Sequence, residues 1–161
     1  RSDHPKSSAA VMTAVLTLAS IGDLGKVAPL VAAFHAEESL TTSEPQRIAA
    51  VTHRLEGTPL GALNLIVPRV APIGYVVVSH EFSIEFGSPD AFIDEIYICT
   101  PVRGKGVGVE SLLQICKILE AGGRKEVHLE VDQTNTVAQW RYSRGGFDLR
   151  SNYNLISKEL R

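Results

Sequence analysis

Cysteine is scarce in this chain. Only Cys99 and Cys116 occur among 161 residues, and they form no C-x-x-C pair. That argues against a disulfide framework or a thiolate zinc site, and the expected compartment is reducing and cytoplasmic. Excess charge of either sign is also lacking, since 16 Lys and Arg face 18 Asp and Glu for a net charge of −2. No basic bias in the net charge points to nucleic acid or an anionic membrane. Long apolar runs are missing too. Residues 9–19 follow Lys6 as the core of a signal peptide would, but the run is short and broken by Thr13 and Thr17. It also leads straight into a helical pattern, so export is not expected. The single methionine is Met12, and residues 1–12 are read as a disordered extension before a domain at 13–161.

What is present suits one globular domain with a real core: 44% hydrophobic and 21% charged residues. Val15–Ala19 reads as a strand. Asp23 is placed to cap a helix whose apolar face is Leu24, Val27, Leu30, Val31 and Phe34. A polar loop then leads to a second helix over 44–55, ended by Gly57 and Pro59. Strands are expected at 60–67, 73–80 and 92–98, with a turn at Gly87–Asp90, in the manner of an antiparallel meander. A helix over 107–121 is stopped by Gly122 and Gly123. Lys125–Val131 reads as a strand, 136–144 as a short helix, and Asn152–Lys158 as a final strand. No repeats or linkers interrupt this mixed α/β order.

The chain is organised around residues 94–113. A strand ending near Ile98 runs into Arg103-Gly-Lys-Gly-Val-Gly108 and then into the central helix. Alternate glycines keep side chains away from the backbone of a tight turn. A helix starting there aims unpaired N–H groups and its positive dipole end at the turn, which makes a phosphate site. The dinucleotide fingerprint and the P-loop do not fit this spacing.

The string R-G-x-G-x-G between strand and helix resembles the acetyl-CoA pyrophosphate loop of the GNAT N-acetyltransferases. The segment Asn135-Thr-Val-Ala-Gln-Trp-Arg-Tyr142, followed by Gly146-Phe147, is similar to a second motif of that family. The resemblance spans roughly residues 15–158. It implies a single-domain α/β fold with a mixed, strongly twisted sheet of about six to seven strands and about four helices. The sheet would splay open between the central strand and Lys125–Val131. Acetyl-CoA is the implied cosubstrate, held by Arg103, Gly104, Gly106, Val107, Gly108 and Asn135. Lys105 either adds charge there or is simply solvated. The backbone of Ile96, Tyr97 and Ile98 would pair with the pantetheine arm and offer an N–H to the thioester oxygen.

Tyr142 is the implied acid for the departing thiolate, because a phenol with pKa near 10 stays protonated at neutral pH. Its other reading is a half-buried helix tyrosine, and Trp140 reads as packing. The base is open between Asp94 and Glu95, which should point to opposite faces of the strand. Neither cysteine has a nucleophile's context, so direct attack in a ternary complex is expected, without metal.

Phe82-Ser-Ile-Glu-Phe-Gly87 and Ile93-Asp-Glu-Ile-Tyr-Ile98 most resemble the spermidine/spermine (diamine) branch, with the acidic pair inverted. That resemblance implies a small primary amine acceptor and a homodimer. Asp94, Glu95, Glu38 and His35 would be the acceptor contacts, Asp94 with a catalytic part. Taken singly, Glu37, His35, His53, His80 and His128 read as solvated surface. The alternatives are a different acceptor (an amino acid, an antibiotic or a protein N-terminus) or a non-catalytic acyl-CoA-binding module.

Overall fold

Two clusters of apolar side chains, one on each face of a single sheet, hold this fold together. The computed structural model describes residues 15–160. The expected extension at 1–12 lies outside them. The sheet has five strands in the order β1 (Leu16–Leu18), β2 (Gly61–Ile66), β3 (Gly74–Ser83), β4 (Ser88–Ile98) and β5 (Val127–Leu129). The first four pair antiparallel and β4–β5 is parallel. Helices α1 (Leu24–Glu37) and α2 (Glu44–Leu55) cover one face, where Val27, Val31, Val51 and Leu55 meet Leu65, Tyr75, Val77 and Tyr97. On the other face α3 (Val107–Ala121) sets Leu112, Ile115 and Leu119 against Ile66, Val76, Val78 and Ile93. Helix α4 (Thr136–Arg144) adds Tyr142 to the same cluster.

The helices begin and end where local chemistry dictates. Ser43 and Gln46 form a reciprocal capping box at α2, with Pro45 in its first turn. Asn135 caps α4, its Oδ1 accepting from the Ala138 N–H at 3.0 Å. Asp23 does otherwise than expected. It precedes α1 without capping it by a side-chain bond. Its buried carboxylate instead accepts from Arg69 Nη2 at 2.7 Å and from the Ser20 N–H at 2.9 Å. Those bonds, Arg69's foremost, hold its pKa below the usual carboxylate value.

Three strand expectations need correcting. Five strands are present among the described residues, not six to seven. Strand β3 runs on through Phe82 to Ser83, so the hairpin turns at Ile84–Gly87 and Ser88 to Asp90 already belong to β4. Asn152–Lys158 is no strand, because it has no ladder partner among the described residues. Apolar, β-prone composition favours a strand but does not supply the neighbour that makes one.

Candidate active site

Strands β4 and β5 pair only through Ala91–Val127, Phe92–His128 and Ile93–Leu129. Beyond Ile93 they part, and among the described residues the side of β4 that faced β5 has no further ladder partner. A cleft of about 930 Å³ opens there, lined by Ile93–Ile98 on one wall and Leu129–Asp132 on the other. The parting coincides with a β-bulge. Val77 lies opposite Glu95 and Val78 opposite Ile93, so Asp94 is the extra residue. Bulges bend a strand and re-aim its side chains, commonly beside active sites.

The bulge overturns the expectation that Asp94 and Glu95 face opposite ways. Both point to the α1/α2 side and both line the cleft. Asp94 meets the Ser79 hydroxyl and lies 3.7 Å from Arg54 Nη2 of α2. Glu95 accepts from the Tyr75 hydroxyl at 2.7 Å and contacts His35 Nε2 at 2.8 Å. A carboxylate can only accept, so Nε2 carries the proton in that contact. Tyr75 is completely buried, and burial pushes its pKa far above the ordinary phenol value. It is a fixed neutral donor that sequence reading missed. His35, expected to touch an acceptor, sits behind Glu95 and holds it. Glu38, at the end of α1, lines the cleft.

At the other end of the cleft lies the glycine turn. Gly104 and Gly106 have φ of +77° and +81°, in the left-handed region that favours glycine. Gly106 begins α3 without any side-chain cap, so the first-turn amides of Val107, Gly108 and Val109 lack a helical partner. Open space surrounds Gly104 and Gly106, whereas a Cβ on Gly108 would lie 2.9 Å from Arg141 Cδ. Arg141, on α4, therefore crosses the start of α3 and adds a cation that spacing did not reveal. Uncapped amides, positive-φ glycines and nearby Lys105 and Arg141 fit a pyrophosphate. Arg103 is engaged elsewhere: Nη2 bonds both Glu37 oxygens at 2.8 Å, and Nε donates to the Ile98 carbonyl at 2.8 Å. Glu37 is thus paired, not merely solvated.

Tyr142 stands between the two ends, packed against Phe147 at 6.3 Å between ring centroids. Burial raises its pKa, opposed by Arg141 and helped by Glu38. Its hydroxyl is therefore a protonated group inside the cleft wall. Asn135 lines the cleft but spends its carbonyl oxygen on the α4 cap. Trp140 does not pack in the core; it is 61% exposed, lines the cleft and lies under the Arg144 guanidinium. Among the described residues no group of three or more His, Cys, Asp or Glu could hold a metal ion. No described helix is long and apolar enough to cross a membrane.

A sheet splayed beside an uncapped, glycine-led helix is the arrangement that the resemblance to the acetyltransferases implies. The chain belongs to the acetyltransferase (GNAT) family, whose profile matches residues 30–147. An integron cassette protein from the mobile metagenome of Cole Harbour Salt Marsh is 27% identical, with a TM-score of 0.78 over 91% of this chain and 90% of that one. A possible acetyltransferase from Clostridium difficile 630 superposes at a TM-score of 0.82 and 17% identity, covering 92% and 99%. An aminoglycoside acetyltransferase from an uncultured soil metagenomic sample, solved with sisomicin, gives 0.78 and 13% over 92% and 97%. No curated protein matches the chain in sequence.

Proposed function

We propose that this chain is an acetyl-CoA-dependent N-acetyltransferase whose acceptor is a small primary amine with a second cationic group, such as a polyamine, a diamine or a lysine-like molecule. The observation that carries the reading is the crowding of carboxylates at one end of the cleft. Glu38, Asp94 and Glu95 all line it beside Glu37, which Arg103 already holds. An acidic end attracts and orients an ammonium, and a second charge on the acceptor gives the remaining carboxylates something to hold.

Acetyl-CoA supplies an activated acyl thioester. The chain's own residues divide the remaining work. Amides of Val107 to Val109, with Lys105 and Arg141, hold the phosphates, and the unpaired side of β4 at Ile96–Ile98 receives an extended arm. Glu95 takes the proton that frees the amine, since Tyr75 and His35 fix it while a carboxylate still has lone pairs to spare. Asp94, neutralised in part by Arg54, is a binding wall and not the base. Tyr142 Oη gives its proton to the departing sulfur.

The aminoglycoside acetyltransferase among the similar structures keeps a second acceptor in play, because an aminoglycoside is also a polycationic amine. A thiol-release assay with acetyl-CoA and a panel of diamines, monoamines, amino acids and aminoglycosides tests the reading. Thiol release that prefers multiply charged amines supports it. A free thiol appearing with none of these amines would leave an acyl-CoA-binding module and defeat the enzyme assignment.

A further inference from the structure

The only tryptophan of the chain, Trp140, is left 61% exposed in the wall of the cleft. Single apolar side chains on a surface need no explanation. Trp140 differs because it belongs to a pattern. Positions 137, 140, 141 and 144 recur at helical spacing, and Val137, Trp140, Arg141 and Arg144 all line the cleft. Val137 is likewise exposed, while Ala138 carries the buried side of α4. The Arg144 guanidinium lies 5.1 Å from the centroid of the indole. That contact fixes the plane of the ring while most of its surface stays open.

The register of two helices says which part of a ligand comes there. A Cβ on Gly108 would lie 2.9 Å from Arg141 Cδ, and one on Gly145 would lie 3.6 Å from Leu112 Cδ1. Helices α3 and α4 therefore run side by side in the same direction. Going back along α4 from Arg141 leads past the start of α3 and alongside the glycine turn. Tyr142 packs the other way, against the core under α3. A pyrophosphate on the first amides of α3 has two substituents. One is the arm that runs along β4, so the nucleotide must leave on the side of Val137 and Trp140.

We propose that Trp140 is a specificity-determining residue for the acyl donor: its indole stacks on the purine of acetyl-CoA. The protein thereby prefers acyl groups carried on the whole coenzyme to acyl groups carried on phosphopantetheine alone. This rests on the acetyl-CoA reading above. Stacking asks only for a flat apolar ring held in place, and Arg144 holds this one.

The indole reports on its own role, because no second tryptophan contributes to the emission. Titrating the full chain with CoA should quench that emission, as a stacked purine does. By calorimetry, Trp140→Ala should weaken CoA roughly five- to a hundredfold, the range for losing one stacked base, and Trp140→Phe should recover most of the loss. Phosphopantetheine has no purine to lose, so it should bind wild type and Trp140→Ala alike. CoA that binds with the emission unmoved overturns the inference and leaves the acetyl-CoA reading standing. So does wild-type CoA affinity in Trp140→Ala. A loss that phosphopantetheine shares would make Trp140 a prop for α4 and overturn it as well. Wild type that binds no CoA at all would defeat the acetyl-CoA reading itself, and the inference with it.

Discussion

At the glycine end of the cleft the ligand-facing groups belong largely to the backbone: first-turn amides of α3, reached past Gly104 and Gly106, and the unpaired side of β4. At the carboxylate end they belong to side chains: Glu95 braced by Tyr75 and His35, Asp94 braced by Ser79 and Arg54, and Glu38. The contrast predicts different sensitivities. A backbone site resists side-chain deletion and is destroyed by side-chain addition. A side-chain site fails when one member is removed.

The largest effects should come from the proton-transferring groups. Tyr142→Phe should lower kcat by about 10²–10⁴-fold with acetyl-CoA affinity unchanged, the usual scale for a positioned acid. Because burial raises the Tyr142 pKa above the ordinary phenol value, kcat at saturating substrate should show no alkaline loss until above about pH 10. A descending limb at lower pH would point to another acid. Glu95→Gln should lower kcat/KM on a similar scale of about 10²–10⁴-fold at unchanged acetyl-CoA affinity. A wild-type kcat/KM in Glu95→Gln would move the base elsewhere.

Addition at the glycine end comes next. Gly106→Glu puts a negative side chain over the uncapped amides, in a backbone conformation glycine favours, and should weaken acetyl-CoA by about a hundredfold or more. Calorimetry on the folded variant checks it, and wild-type affinity would take the turn out of the site. Losing one carboxylate partner of an acceptor ammonium should cost roughly ten- to a hundredfold. Asp94→Asn and Glu38→Gln should therefore lower kcat/KM for a diamine and spare a monoamine of equal length. Equal losses for both would defeat the dicationic acceptor while leaving acetyl transfer intact.

The smallest effect sharpens the comparison at the point where the two ends touch. The Arg103–Glu37 pair is substantially exposed, with side chains 37% and 41% accessible. Such pairs contribute about 0–1 kcal/mol, so Glu37→Gln should change acetyl-CoA affinity by less than about fivefold. A larger change would make the pair a coupling between the ends.

The sequence by itself determined three of the helices and the glycine turn. Helices at 44–55, 107–121 and 136–144 agree with the structure because each is bounded locally: Ser43 and Gln46 at α2, Gly106 and Gly122 at α3, Asn135 and Gly145 at α4. Turn chemistry and helix termini act over a few residues, so spacing alone reveals them. Only the tertiary structure decided the carboxylate end. Strand faces depend on register, and a single bulge at Asp94 brought to one side two carboxylates that alternation sets apart. Tyr75 and Arg141 joined the site from other elements, Glu37 was drawn into a pair with Arg103, and Trp140 stayed out of the core. The last segment, apolar enough to read as a strand, remained unpaired because a strand needs a neighbour, and no stretch of sequence carries its neighbour with it.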